Sequence, residues 1–150
     1  MVQTSNFIGF MLEAAQKRGI KRVLLFGHIG KLIKVAAGCF YTHNRIADGR
    51  LETMAAYGAA AGLTTQQVQA VLNANTTEDA LAVLEQAGLR DKVCHTLAMR
   101  ASARAQRYLF QKMQVGTVLV TLTGELLGMD DTAWEICRNL GGKLPDEQAE

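Results

Sequence analysis

The densest group of residues able to do chemistry lies in the stretch GHIGKLIKVAAGCFYTHNRIADGRLE, residues 27–52. It opens with Gly27-His28-Ile29-Gly30-Lys31, directly after the apolar run Val23 to Phe26. Glycines let a ligand approach the backbone, and a helix N-terminus offers unpaired N–H groups to an anion. With Lys31 at that terminus and Lys34 one turn further, the segment predicts an anion-binding corner built on Gly27 and Gly30.

A second polar group follows in residues 42–52. Arg45 and Arg50 can fork onto carboxylates, and Asp48 can orient either arginine or cap the helix expected near Arg50. Together with Thr42 and Asn44, these side chains are too dense and too varied for a segment that only connects two elements. We therefore expect all five to line a binding site, with an Asp cap and a solvated ion-pair network as the structural alternative.

Two histidines, His28 and His43, are the candidate acid-base residues, because His titrates near neutral pH. His28 can be a general base or a ligand donor, or it can simply cap the turn. The two are 15 residues apart with no third ligand at metal spacing, so we expect no zinc site. The glycine spacing is too short for a Walker A loop, and Leu32 replaces its Ser/Thr. A plain strand-to-helix turn with solvent-facing lysines remains the alternative.

Bulk composition is that of an ordinary globular protein of 150 residues, with 49% apolar residues and a net charge of +2. We expect one domain over residues 1–142, a polar tail over 143–150, and no nucleic-acid or membrane partner. Three dispersed cysteines favour reduced thiols and a cytoplasmic location. A basic stripe, Arg100, Arg104 and Arg107, is most often a solvated helix face, and binding of an acidic partner is the minority interpretation.

The order of elements predicts an α/β fold. Strands are expected at 23–26 and 117–122, separated by long helical crossovers, which imply a parallel sheet covered by helices. Helices are expected over 5–18, 31–37, 50–61, 65–74, 77–87, 90–112 and from about 131. This is a helix-rich fragment of a parallel, Rossmann-like sheet with two or three strands. Two strands make a poor sheet, so we expect further strands from outside these residues or from a partner chain.

The segment also resembles the signature of a known family, the cobalt-precorrin-5B C-1 methyltransferases (CbiD) of the anaerobic cobalamin pathway. The matching residues are Gly27, His28, Gly30, Lys31, Lys34, Ala36, Ala37, Gly38, Phe40, Thr42, His43, Ala47, Asp48, Arg50, Leu51 and Glu52. Residues 5–9 resemble the segment that precedes this strand in the family, whereas 53–150 resemble it only loosely. Family chains are more than twice as long, so this chain looks like their C-terminal part.

The resemblance implies S-adenosyl-L-methionine as methyl donor and a cobalt-containing tetrapyrrole as acceptor. The carboxylates of this tetrapyrrole would be bound by Lys31, Lys34, Arg45 and Arg50. His28 or His43 would take or supply a proton at the macrocycle. The implied partner is the N-terminal half of the same family chain, or a second copy in a homo-oligomer. The competing hypotheses are a non-catalytic anion- or nucleotide-binding α/β module, and a structural fragment that pairs with an N-terminal half.

Overall fold

The computed structural model describes residues 1–141, which form seven helices and three strands. In chain order they are α1 (Ile8–Lys17), β1 (Arg22–His28), α2 (Ile29–Ala36), α3 (Arg50–Ala61), α4 (Thr65–Leu72), α5 (Thr77–Gln86), α6 (Arg90–Tyr108), β2 (Gln114–Val120), β3 (Leu126–Met129) and α7 (Asp131–Asn139). None of these helices is long and apolar enough to cross a membrane. The predicted tail, 143–150, lies outside the described residues.

The strands form one mixed sheet in the order β1-β2-β3. β1 and β2 run parallel, in register from Arg22 opposite Gln114 to His28 opposite Val120. β3 pairs antiparallel with β2, so the expectation of a wholly parallel sheet is wrong at this strand. The connection, residues 121–125, is too short for a crossover, and a short connection returns the chain antiparallel.

Close packing of helices on the sheet depends on two glycines. A Cβ atom on Gly116 of β2 would lie 2.5 Å from the backbone nitrogen of Ala133 in α7. A Cβ atom on Gly128 of β3 would lie 2.9 Å from the carbonyl carbon of Cys94 in α6. α6 is the central helix of the core and contacts α2, α3, α5, β2 and β3.

Several helix starts follow the capping patterns in the sequence. Thr64 and Thr76 each form a capping box, with Gln67 and Asp79 as the reciprocal partners. The side chain of Asp130 caps α7, and α3 spans the predicted residues 50–61. Local side-chain chemistry therefore decides these boundaries.

The start of α1 differs from the prediction. We expected a helix from residue 5 capped by Ser5 or Asn6, but α1 begins at Ile8, and its N-cap, Phe7, makes no side-chain capping bond. The Asn6 carboxamide oxygen accepts a hydrogen bond from the Thr42 hydroxyl instead, at 3.3 Å. A long-range contact therefore takes the side chain that the local pattern assigned to the cap.

The turn predicted at residues 27–30 is absent, because strand and helix occupy these residues. β1 extends to His28 because β2 supplies ladder partners that far, and α2 begins at the next residue, Ile29. The strand and the helix thus meet without a loop. Residues 37–49 contain neither helix nor strand, apart from an isolated bridge between Tyr41 and Phe7, which agrees with the ordered loop expected there.

Candidate functional site

A cavity of about 330 Å³ opens where β1 ends and α2 begins. We call it the junction cavity. The residues that line it are Asn6, His28, Gly30, Lys31, Lys34, Thr42, His43, Asn44 and Arg50. Eight of the eleven residues predicted for the site are in this set, whereas Gly27, Arg45 and Asp48 are not. Segments that are separate in sequence therefore converge on one concave surface.

His28 is held at both ring nitrogens. Its Nδ1 accepts a hydrogen bond from the backbone N–H of Gly30 at 3.2 Å and so caps α2. Its Nε2 lies 2.7 Å from Oε1 of Glu78 in α5. Because Nδ1 accepts, the ring proton is on Nε2 and is donated to the Glu78 carboxylate. Of the roles left open by the sequence, capping is the one this geometry supports.

The two glycines of the motif have different surroundings. A Cβ atom on Gly30 would lie 2.7 Å from Cε1 of His28 and 3.2 Å from the hydroxyl of Thr77. On Gly27 the nearest atom would be a Leu32 methyl carbon at 3.5 Å, an ordinary contact. Gly30 is therefore needed for His28 to pack over the first turn of α2, and Gly27 has no such constraint within the described residues.

Lys34 is a buried cation, only 3% exposed. Its Nζ donates to the backbone oxygen of Thr42 at 3.0 Å and to Oδ1 of Asn44. Thr42 is fixed in turn by Asn6, whose backbone oxygen accepts from the Thr42 N–H at 3.1 Å. An ammonium group has three donors, so one remains for a ligand. Lys34 thus links the loop of residues 37–49 to α2 by hydrogen bonds, and it places a positive charge in the cavity.

Arg50 is oriented by Asp48 through a two-pronged contact. Its Nε donates to one carboxylate oxygen at 2.7 Å and its Nη2 to the other at 2.9 Å. These side-chain hydrogen bonds lower the pKa of Asp48 and raise the pKa of Arg50. The alternative role of Asp48 as a helix cap is wrong, since Gly49 is the N-cap of α3.

The remaining predicted residues occupy the cavity rim and its outer side. Lys31 lines the cavity, and its Nζ donates to the backbone oxygen of Ser5 at 3.0 Å. His43 accepts at Nδ1 from the backbone N–H of Arg45 at 3.2 Å, so the neutral ring carries its proton on Nε2. The Arg45 side chain is exposed outside the cavity.

The electrostatic balance of the junction cavity favours an anion. Within residues 1–141 three cations and no carboxylate line it, while Asp48 is paired with Arg50 and Glu78 with His28. Sequence reasoning did not select Glu78, which lies 50 residues from His28 in the first turn of α5 and carries no local signal. It also missed Asn6 as a site residue, although the family-like segment at residues 5–9 contains it.

A family model described as "CbiD, C-terminal domain" matches residues 41–131 of the chain. This range holds four residues of the junction cavity, Thr42, His43, Asn44 and Arg50, while the glycine motif precedes it. No solved structure matches the chain significantly.

Curated relatives extend over nearly the whole chain. It is 45% identical to the cobalt-precorrin-5B C(1)-methyltransferase of Moorella thermoacetica, over 94% of this chain and 39% of the relative. It is 45% identical to the protein of the same name from Desulfitobacterium hafniense, over 99% of this chain and 38% of the relative. The chain thus spans about two fifths of the length of these relatives. The match to this family model, over more than half of the chain, shows that the chain belongs to the CbiD family and corresponds to its C-terminal domain.

Proposed function

We propose that this chain binds the methyl acceptor within a methyltransferase that uses S-adenosyl-L-methionine to methylate C-1 of cobalt-precorrin-5B in anaerobic cobalamin biosynthesis. The names of the relatives support the reaction, and the chain spans only part of their length. The observation that carries the proposal is the convergence of Lys31, Lys34 and Arg50 on the junction cavity.

The acceptor is fringed with carboxylates, which match this donor set. Arg50 uses two donor atoms on Asp48 and keeps further N–H groups for a ligand. Lys34 keeps one N–H donor for a ligand, and Lys31 lines the cavity at its rim. Charge-assisted hydrogen bonds of this kind are among the strongest that a protein makes to a carboxylate. The cations would fix the edge of the macrocycle, and fixing one reactant removes much of the entropic barrier to transfer.

The histidines contribute unequally to this proposal. His43 can offer its Nε2–H to the macrocycle while Nδ1 stays bonded to the Arg45 backbone. His28 can exchange a proton with the ligand only by releasing Glu78 or Gly30. We therefore assign proton supply at the macrocycle to His43 first, acting as an imidazolium ion that has taken a proton on Nδ1 and released the Arg45 N–H, and assign to His28 the positioning of α2.

The methyl donor does not match the junction cavity. Its sulfonium group is a cation, and the cavity is already lined by Lys31, Lys34 and Arg50. Like charges in a partly desolvated site repel strongly. We therefore propose that the donor binds outside this cavity.

A partner strand is proposed at the free edge of the sheet. Within residues 1–141, β1 pairs only with β2, and Phe26 on β1 is 63% exposed. An unpaired edge of seven residues presents a row of N–H and C=O groups to another strand. We propose that the N-terminal half of the family chain, or a second copy, adds a strand here and extends the parallel, Rossmann-like part of the sheet.

The thiols support a reducing compartment. Cys39, Cys94 and Cys137 are all free. Burial raises the pKa of Cys94 to about 12, so this thiol stays protonated. Unpaired cysteines are typical of cytoplasmic proteins, which supports the proposed location.

An absorbance titration separates this function from the nucleotide-binding alternative. The chain would be titrated with cobalt uroporphyrin, a tetrapyrrole bearing acetate and propionate groups, and in parallel with ATP. We expect saturable binding of the tetrapyrrole that ATP does not displace. Binding of ATP without binding of the tetrapyrrole would favour the nucleotide module and refute the proposal.

A further inference from the structure

A second and larger cavity, of about 660 Å³, lies between α1 and the end of α6. We call it the helix cavity. It shares no lining residue with the junction cavity, and the proposed function gives it no role. Three features of its wall point to a flat, acidic ligand.

The first feature is an aromatic wall. The rings of Phe40 and Tyr108 stack with centroids 4.2 Å apart and planes 19° apart. The Tyr108 hydroxyl donates to the Glu13 carboxylate, and this bond raises the pKa of Tyr108 to about 12. Tyr108 therefore stays neutral, and Glu13, the one carboxylate among the described residues that line the cavity, is already hydrogen-bonded.

The second feature is an excess of positive charge. Lys17, Arg104 and Arg107 line the cavity, and within residues 1–141 none of them forms an ion pair. Arg104 lies against Gly38, where a Cβ atom would be 3.6 Å from Nη1. Two planar guanidinium groups beside an aromatic wall suit carboxylates or phosphates carried on a ring.

The third feature is a strained aromatic residue at the cavity. Phe110 has φ +53° and is followed by Gln111 with φ +60°. A bulky residue in the left-handed region is an outlier, because helices that end this way usually have glycine there. The strain is not offset by burial, since Phe110 is 82% exposed. An exposed aromatic side chain on strained backbone, lining a cavity, is a candidate ligand clamp.

The two cavities are neighbours along one segment. Phe40 lines the helix cavity and Thr42 the junction cavity, and their Cα atoms are at most about 7 Å apart. Both residues are bonded to the start of α1: the N–H of Gly9 donates to Phe40 O, and the N–H of Thr42 donates to Asn6 O, each at 3.1 Å. The two cavities therefore adjoin at this segment, and the distance between these lining residues is shorter than a tetrapyrrole with its carboxylate side chains.

We propose that the helix cavity binds the flat face and a second set of carboxylates of the tetrapyrrole whose other edge occupies the junction cavity. This inference rests on the proposed function. The ring lies against Phe110 and the Phe40–Tyr108 wall, and Arg104 and Arg107 hold the carboxylates. The same positive charge excludes a sulfonium donor from this cavity.

The test measures the affinity of the whole chain for cobalt uroporphyrin in the wild type, in the junction-cavity variant K31M/R50M and in three further variants. R104M/R107M should weaken binding about tenfold or more, since each lost charge-assisted contact is worth up to about tenfold. Phe110→Gly should also weaken binding while raising Tm, because glycine removes the backbone strain. Lys92→Met, on the same helix but outside both cavities, should change neither affinity nor Tm.

The outcomes separate this inference from the proposed function. If K31M/R50M weakens tetrapyrrole binding and the helix-cavity variants do not, the inference is overturned and the proposed function stands. If the wild-type chain does not bind cobalt uroporphyrin, both are overturned. If R104M/R107M abolishes binding of ATP and leaves tetrapyrrole binding unchanged, the helix cavity is a nucleotide site and the inference is wrong.

Discussion

The Nε2 atom of His28 lies 2.7 Å from Oε1 of Glu78, and this bond joins the end of β1 to the first turn of α5. The other ring nitrogen caps α2 through the N–H of Gly30. One side chain thus links a strand and two helices at the wall of the junction cavity. The shape of that cavity therefore depends on a residue 50 positions further along the chain.

The first prediction concerns His28 as a cap. His28→Ala removes the acceptor for the Gly30 N–H, and loss of an N-cap costs about 1 kcal/mol. His28→Asn keeps a side-chain oxygen at the cap position and should retain most of that stability. Urea unfolding of the two variants measures the difference. Equal stability of His28→Ala and the wild type would show that the cap contributes nothing.

The two glycines of the motif should respond differently to alanine. In Gly30→Ala the new methyl group meets the His28 ring at 2.7 Å, so the ring must move and we expect a loss of about 1–3 kcal/mol. Gly27→Ala is the matched control, because its nearest neighbour is at 3.5 Å. Thermal unfolding compares them, and a larger loss for Gly27→Ala would contradict this account of the packing.

Substitution of Lys34 should mainly lower the stability of the fold, whereas substitution of Lys31 should mainly weaken ligand binding. Lys34→Met leaves the Thr42 carbonyl and the Asn44 side chain without their shared donor, at a cost of about 1–3 kcal/mol. Within residues 1–141 the one hydrogen bond of the Lys31 ammonium group goes to the exposed backbone oxygen of Ser5, so Lys31→Met should leave stability within about 0.5 kcal/mol and weaken tetrapyrrole binding. Denaturant unfolding and absorbance titration of both variants test this. If Lys31→Met were less stable than the wild type and bound the tetrapyrrole with unchanged affinity, the assignment of Lys31 to ligand binding would be wrong.

The Asp48–Arg50 pair predicts a pH dependence. The pKa of Asp48 is lower in the folded protein, so the pair stabilises the fold fully above the ordinary value of 3.8 and is lost as pH falls through the lowered value. The stability difference between the wild type and Asp48→Asn should therefore be constant at neutral pH and shrink in acid. Urea midpoints measured across the acid range provide the test, and a difference that grows in acid would have the wrong sign.

Much of the fold could be predicted because local chemistry sets it. Thr64 and Thr76 begin helices by capping boxes, and Asp130 caps α7, in each case within a few residues. The third strand could not be predicted in the same way. Its four residues, 126–129, pair with β2 through a short hairpin, and they fall between the strand expected at 117–122 and the helix expected from about 131.

The candidate site could also be predicted only where its residues are close together in sequence. The stretch from residue 27 to residue 50 supplies eight of the nine residues that line the junction cavity, because the functional side chains cluster in sequence. Glu78 and Asn6 act through contacts with His28 and Thr42 that only the folded chain creates. Arg45 has the residue type suited to a carboxylate, but its backbone, not its side chain, contacts the site.

The central claim is that the junction cavity holds carboxylates of a cobalt tetrapyrrole. It is tested most directly by the dissociation constant for cobalt uroporphyrin of the wild type and of Lys31→Met/Arg50→Met, with Lys92→Met/Lys112→Met, which removes two exposed charges outside both cavities, as the charge-matched control. We expect the double variant to bind at least about tenfold more weakly, with a smaller dependence on salt, and the control to bind like the wild type. Equal affinity for all three proteins would contradict the claim.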